Sequence, residues 1–304
     1  MIHPSLQRLA LSAALCVAAI PTSHAQALDP TPAQTAPETP GQHAWKAAEQ
    51  AMQTGPRSIA LRNQATLALP AGYGYVPVQQ AGALMEQMGN SVNESFLGLV
   101  MPLDKDSEWM ATLDYEAAGY IMDDDAKHWK ADELLDELKQ GTEAGNERRA
   151  KLGIPALEVT RWIEPPAYDA TAQRLVWSIE LHDKGAAAGA DPTVNYNTYV
   201  LGREGYISLD LITSGSHIEA EKPIAKTLLA AVAFNEGKRY ADFNSSTDKV
   251  AEYGLAALIG GIAAKKLGLL AMAGVFFAKF FKLIAVAVVA GGAAVRRFFT
   301  GKKA

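Results

Sequence analysis

A run of 24 residues near the end of the chain, FFAKFFKLIAVAVVAGGAAVRRFF, is almost entirely apolar, yet it contains two lysines. The wider stretch Leu267–Val295 would be about 43 Å long as a helix, which exceeds the roughly 30 Å hydrocarbon core of a bilayer. The spanning window can therefore slide until Lys279 and Lys282 lie near one boundary and extend outward along their own stems. This pattern favours a single transmembrane helix that ends at Arg296 and Arg297.

Other structures also fit this end of the chain. Two short segments, Leu255–Ala264 and Leu267–Ala278, could form a hairpin, or a helix could lie in the membrane interface. A core helix of a soluble domain is the remaining alternative. Ser245, followed three residues later by Asp248, is typical of a capped helix start, so helix is predicted from about Thr247 onward.

Small residues recur along this predicted helix at alternating spacings of three and four. Such a stripe lets a second helix approach closely, which is how helices associate in lipid. The stripe therefore predicts self-association, although an alanine-rich helix can show one by chance. Its members are Gly254, Ala257, Gly261, Ala264, Gly268, Ala271 and Ala278.

The first 25 residues have the features of a secretory signal peptide. Arg8 precedes the apolar run Leu9–Ile20, and small residues end at Ala25, a pattern that predicts cleavage after that alanine. An uncleaved N-terminal anchor is the alternative. The only cysteine, Cys16, lies inside this segment, so the exported chain would have no disulfide, cysteine-bound zinc or cysteine nucleophile.

Charge is distributed unevenly between the body and the end of the chain. Residues 26–243 carry 18 basic and 31 acidic residues, a net charge of −13, whereas residues 244–304 carry 9 and 2, a net charge of +7. The acidic body argues against nucleic acid as a partner. The basic, apolar end predicts contact with a lipid bilayer.

Signal and charge together predict a location. Export of the N-terminus and retention of the terminal basic residues place the body in the periplasm and the C-terminus in the cytoplasm. The predicted location is therefore the bacterial inner membrane, crossed once. Lys265 and Lys266, on the outer side in this topology, depart from the rule.

The chain divides into a signal at 1–25, a flexible Pro- and Thr-rich linker at 26–44, an acidic domain at 45–243 and a membrane anchor at 244–304. Within the acidic domain, two β-rich runs surround Gly202–Gly205 and predict a hairpin. Strands in runs with interspersed helices predict an α+β fold: an antiparallel sheet with flanking helices, followed by a long C-terminal apolar transmembrane helix.

The strongest polar cluster is Asp123–Asp125, which is followed by His128. Asp123, Asp125 and His128 are weak candidates for a cation or acid–base site. Consecutive carboxylates diverge, however, and a role in capping the segment that follows explains them better. Neither a catalytic residue nor a cofactor is predicted.

Four strings carry a resemblance to a known family: GYIMDDDAKHW, ELLDELKQGTEAGNERR, VNYNTYVLGREGY and GKRYADFNSSTDKVAEYGLAALIGGIAAKKLGLL. They resemble the bacterial family of predicted membrane-anchored proteins called domain of unknown function 2167, over roughly Gly55 to Val295. The resemblance implies an envelope location and a C-terminal membrane segment. It implies no activity, cofactor or catalytic residue.

The function predicted from these observations is a binding or scaffolding module anchored in the bacterial envelope. One alternative is a hydrolase-like envelope enzyme with an acidic site near Asp123–Asp125. The other is an oligomer assembled through the C-terminal helix.

Overall fold

In this computed structural model of the protein, the predicted hairpin lies inside the main sheet. Its two strands pair antiparallel from Tyr206 opposite Leu201 to Ser214 opposite Thr193. The structure describes residues 38–260 except 89, 91, 105, 152 and 154. The chain divides into two units, Met1–Pro37 and Glu38–Ala304, and all elements below belong to the second.

The described residues form five helices and eleven strands. The helices are α1 (Pro40–Ala51), α2 (Val78–Gln87), α3 (Ala131–Lys151), α4 (Ile218–Ala230) and α5 (Ala257–Gly260). The strands are β1 (Gln53–Thr54), β2 (Arg57–Leu61), β3 (Ala65–Leu69), β4 (Tyr73–Pro77), β5 (Phe96–Pro102), β6 (Met110–Glu116), β7 (Leu157–Asp169), β8 (Arg174–Asp183), β9 (Thr193–Leu201), β10 (Tyr206–Ser214) and β11 (Val232–Phe234). Two 3₁₀ turns lie at Asp124–Lys127 and Tyr240–Asp242.

The strands form two antiparallel sheets. The larger has eight strands in the order β1-β4-β5-β6-β10-β9-β8-β7, and the smaller has three in the order β11-β3-β2. The hairpin strands β9 and β10 lie inside the larger sheet and are buried along both faces. Their side chains therefore determine what each face of the sheet can pack against.

Alternation along β10 separates the two faces. Ile207, Leu209 and Leu211 belong to a core cluster with residues of α4 and of the smaller sheet; we call this side the α4 face. The opposite face carries two separate clusters. One joins α1 and α2 to β4 and β5, and the other joins α3 and α5 to β7 and β8.

The sheet and flanking helices are found as predicted, but the last part of the fold prediction was wrong. No helix among the described residues is long and apolar enough to cross a membrane. Helix does not begin near Thr247 either: the segment that follows forms a parallel bridge between Val250 and Tyr120, and α5 spans only Ala257–Gly260. Residues 261–304 lie outside the described part.

Asp248 explains why the predicted helix start fails. Its carboxylate accepts hydrogen bonds from Arg203 Nε at 2.7 Å and Nη2 at 2.8 Å, and from the Asn244 backbone N–H at 2.8 Å. The side chain therefore ties this segment to the hairpin turn. A fork-shaped guanidinium on a carboxylate is a strong, geometrically specific pair, and here it takes precedence over a helix cap.

We expect the Asp248–Arg203 pair to make stability depend on pH in acid. The Arg203 hydrogen bonds, with that from Asn244, hold the pKa of Asp248 below its ordinary 3.8. A depressed pKa stabilises the fold above pH 4, and this contribution is lost as the pH falls. In thermal unfolding from pH 6 to 2, Asp248→Asn should have a lower Tm at pH 6 and a shallower acid decline. Parallel curves for both proteins would contradict this.

Candidate functional site

Three central strands direct polar side chains to the face opposite α4. These side chains form what we call the polar row: Thr112 and Asp114 on β6, Ser208 and Asp210 on β10, and Asn195 and Asn197 on β9. Thr112, Asp210 and Asn197 lie side by side in the ladder, as do Asp114 and Ser208. Each is only 1–4% exposed.

Some polar atoms of the row form hydrogen bonds with neighbouring residues, and others have no partner among the described residues. Asp210 Oδ1 accepts from the Thr198 N–H at 3.3 Å, and Asp114 Oδ1 accepts from Ser95 Oγ at 3.3 Å. Thr112 Oγ1 and Asn195 Oδ1 have no hydrogen-bond partner in the part of the chain that the structure describes. A buried polar atom without a partner lowers the free energy of unfolding by about 1–3 kcal/mol. The row therefore destabilises the fold if its role is only structural.

Two aromatic residues border the row. Tyr199 pairs with Ser208 on the neighbouring strand, and Trp177 pairs with Asn197. The Tyr199 hydroxyl and the Trp177 indole N–H are both buried, and a side-chain hydrogen bond between the two residues acts to lower the pKa of Tyr199. Burial raises the pKa of Tyr199 well above its ordinary value, and the charge of Asp210 adds to that effect. The hydroxyl therefore stays protonated and can donate.

The described helices pack to either side of the row. Helices α1 and α2 pack on β4 and β5, whereas α3 packs on β7, at the other end of the sheet. Helix α4 contacts β9 and β10, but on the opposite face. The row and its aromatic border thus combine carboxylates, amide groups, hydroxyls and an indole N–H within one buried face of the sheet. Such a set can bind a cationic group that also donates and accepts hydrogen bonds.

Replacing Thr112 tests directly whether the buried polar atoms of the row lower the free energy of unfolding. We expect Thr112→Val to raise the free energy of unfolding by about 1 kcal/mol, because it keeps the shape and removes an unpartnered buried hydroxyl. Thr142→Val is the control, since the buried Thr142 hydroxyl donates to Leu138 O at 2.8 Å. Urea unfolding should show the first variant gaining and the second losing stability. Loss in both would show that Thr112 is satisfied.

The acidic cluster Asp123–Asp125 was a candidate for a cation or acid–base site, but in the structure two of its carboxylates accept hydrogen bonds from other parts of the domain. Asp123 Oδ2 accepts a hydrogen bond from the Tyr168 hydroxyl at 2.9 Å. Asp125 accepts from two backbone N–H groups, Leu255 at 3.1 Å and Ala256 at 2.9 Å. Both carboxylates hold neighbouring segments in place, so this geometry gives no support to an acidic catalytic site.

His128 closes the 3₁₀ turn that follows Asp123, with its backbone N–H donating to Asp125 O at 3.0 Å. The imidazole is exposed. No group of three or more His, Cys, Asp or Glu side chains suited to a metal occurs among the described residues. The candidates Asp123, Asp125 and His128 are therefore not brought together as a metal site in this part of the chain.

Only the first two members of the small-residue stripe are described. A Cβ on Gly254 would lie 2.5 Å from Asp125 Oδ2, so this glycine is small because a carboxylate approaches it within the domain. Ala257 begins α5. The remaining stripe residues and the predicted membrane-boundary charges Lys279, Lys282, Arg296 and Arg297 lie outside the described residues. Helix association and lipid contact stay predictions.

The sequence analysis missed the polar row, although the sequence contains a signal for it. Asn195 and Asn197 alternate with large apolar residues in β9, as do Ser208 and Asp210 in β10. Such alternation is typical of a strand with one face packed on the core and the other exposed to solvent. Here both strands lie inside an eight-stranded sheet, and the polar side chains are buried.

These observations define an α+β domain in which an eight-stranded antiparallel sheet has helices on both faces and a buried polar row on one of them. Residues 53–290 match the family described as Protein of unknown function (DUF2167), and the chain belongs to that family. The family resemblance is thereby confirmed, whereas the match does not show membrane anchoring. No curated protein matches the chain.

Solved structures similar to this chain have low sequence identity. Cyanobacterial PsbP (CyanoP) from Synechocystis sp. PCC 6803 is 11% identical, with a TM-score of 0.36, covering 59% of this chain and 92% of that one. The Ran-binding protein Mog1p of Saccharomyces cerevisiae is 8% identical, with a TM-score of 0.34, covering 63% of this chain and 100% of that one.

Proposed function

We propose that the chain is a binding module of the bacterial envelope and that the polar row is its binding site. The observation that carries this proposal is a pair of buried polar atoms without partners among the described residues, Thr112 Oγ1 and Asn195 Oδ1. Each reduces stability. Sites at which a fold departs from full hydrogen bonding are those expected to have a function.

The composition of the row selects the chemistry of its ligand. Asp114 and Asp210 are acceptors when ionised, and the Asn amides both donate and accept. Charge-assisted hydrogen bonds from an ammonium or guanidinium group to a carboxylate are about twice as strong as neutral ones. A protonated amine that carries further hydrogen-bonding groups is therefore the ligand class we propose.

The proposed location rests on the start of the chain. The signal-like pattern that ends at Ala25 supports export, and the absence of cysteine after Cys16 is compatible with an oxidising compartment. Fractionation of bacterial cells with protease protection tests this. We expect the Glu38–Gly260 domain to be cleaved in spheroplasts and protected in intact cells. Protection in spheroplasts would place the domain in the cytoplasm instead.

Spermidine, a polyamine, and the neutral alcohol butanol serve as probes of the binding site. In isothermal titration with the full chain, spermidine should bind and butanol should not. Asp210→Asn should weaken spermidine binding at least about tenfold, because it removes one charge from the site while keeping its shape.

Asp136→Asn is the matched control. It makes the same chemical change at an exposed position of α3, so it should leave spermidine affinity unchanged. Equal weakening by both variants would show that spermidine responds to the net negative charge of the domain. Absence of spermidine binding in every variant that stays folded would overturn the proposed ligand class.

A further inference from the structure

The core cluster that joins α1 and α2 to the sheet is rich in sulfur. Of the six methionines between residues 38 and 260, all but Met122 pack in this cluster, and none belongs to the other two core clusters of the described residues. Methionine can fill gaps in any part of a core, so its confinement to one cluster points to a role for the sulfur atoms there. The members are Met52, Met85, Met88, Met101 and Met110.

Met52 and Met101 meet over strand β4. A Cβ on Gly74 of β4 would collide with Met52 Sδ, so this sulfur atom lies against the strand at the one point where no side chain keeps it away. Met101 of β5 is the antiparallel partner of Gly74, and both methionines belong to the same core cluster. The Met52 thioether therefore lies next to the side chain of Met101.

Met110 extends this arrangement to β6. Val100 of β5 pairs with Ala111 of β6, so Met101 and Met110 occupy the next positions along the two antiparallel strands. Side chains directly opposite each other on one face have Cβ atoms about 5 Å apart, and the methionine side chain is flexible. Met101 is buried, whereas Met52 and Met110 are half-buried. The three thioethers can thus converge on one ion that enters from the solvent side.

The chemistry of these ligands selects a soft metal ion with a single charge. Thioether sulfur is a soft ligand that favours Cu(I), whereas Zn²⁺ is suited to imidazole and Mg²⁺ to carboxylate or water oxygen. Thioethers are also neutral, and an ion buried among neutral, apolar groups costs less free energy when its charge is small. No competing group of three or more His, Cys, Asp or Glu side chains suited to a metal occurs in the part of the chain that the structure describes.

We propose that Met52, Met101 and Met110 form a site for Cu(I). This inference goes beyond the proposed function, because the site uses none of the residues of the polar row. A thioether carries no proton that must leave when the metal binds, unlike a histidine or thiol ligand. The affinity of the site therefore stays constant from about pH 7 to about pH 5, a range in which histidine becomes protonated.

Silver(I), a soft monovalent ion that is stable in air, is the first probe, and Cys16→Ala removes the only thiol. In isothermal titration of this full chain without chloride, we expect one Ag(I) to bind tightly, with equal affinity at both pH values. Met52→Leu combined with Met101→Leu and Met110→Leu should weaken binding at least about a hundredfold, because leucine nearly keeps the volume and removes the sulfur. Met122→Leu, which lies outside the cluster, should leave the affinity unchanged.

Carbon-13 labelling of the methionine methyl groups makes the test independent of how well the variants fold. In NMR spectra of the Cys16→Ala chain, Ag(I), or Cu(I) added without oxygen, should shift the methyl signals of the three ligand methionines and leave that of Met122 in place. A chain that binds no silver, or in which these three signals do not shift, would overturn the proposal. Weaker silver binding by Asp210→Asn would also overturn it, because the ion would then belong to the carboxylates of the polar row.

Discussion

Asp125→Ala is expected to lower the free energy of unfolding by about 2 kcal/mol. The Asp125 carboxylate accepts hydrogen bonds from the backbone N–H groups of Leu255 and Ala256. Hydrogen bonds to a charged group contribute about 1.5–3 kcal/mol, and the carboxylate of Asp125 accepts two of them. Leu255 and Leu258, which pack beneath this turn, would loosen with it.

The neighbouring residue supplies the control for Asp125. Asp124→Ala removes a carboxylate of the same charge at an exposed position that begins the 3₁₀ turn, so its effect should stay within about 0.5 kcal/mol. Urea unfolding followed by tryptophan fluorescence measures both variants. Equal losses would mean that charge density in Asp123–Asp125 matters, rather than the two hydrogen bonds of Asp125.

Gly254→Ala tests the same contact from the other side. Its Cβ would lie 2.5 Å from Asp125 Oδ2, closer than side-chain atoms approach, so the carboxylate must move from its hydrogen bonds. Combined with Asp125→Ala, the glycine change should cost little more than Asp125→Ala alone, because the clash and the hydrogen bonds share one carboxylate. Additive losses would show that Gly254 is small for another reason, including the helix association predicted from the sequence.

Local patterns predicted much of the sheet, because strand and turn chemistry act over a few residues. The β-rich runs around Gly202–Gly205 form the predicted hairpin, and Ile207, Leu209 and Leu211 share one face as their alternation indicates. Two consecutive prolines, Pro165 and Pro166, are typical of a turn in a sequence, yet β7 continues through them to Asp169. Because β7 is an edge strand with register shifts, its proline residues need not donate to the sheet.

The polar row and the true role of Asp248 could not be predicted from spacing alone. Both depend on partners distant in sequence: Asp210 pairs with Thr112 across nearly a hundred residues, and Asp248 pairs with Arg203. A carboxylate near a serine is consistent with a helix cap in any sequence. The folded sheet decides which partner lies near the carboxylate, and the periodicity of the sequence contains no information on that partner.

Gly205→Ala should have the largest effect on the fold that we predict, a loss of about 3 kcal/mol. An added Cβ would lie 1.9 Å from Glu116 O, a backbone atom of β6. Tyr206, the next residue, pairs with Glu116 at the start of the β10–β6 ladder. Since neither backbone can yield without opening this central ladder, the clash must displace the hairpin.

Gly145→Ala is the matched control for Gly205→Ala. Gly145 lies in α3 and has open space where a Cβ would be, so alanine there should add about 0.5–1 kcal/mol through its higher helix propensity. Opposite signs in urea unfolding would confirm that the ladder start is rigid. Since β10 carries Ser208 and Asp210 of the polar row, Gly205→Ala should also weaken spermidine binding at urea concentrations where the protein stays folded. Intact binding together with the stability loss would show that the hairpin turn and the row move independently.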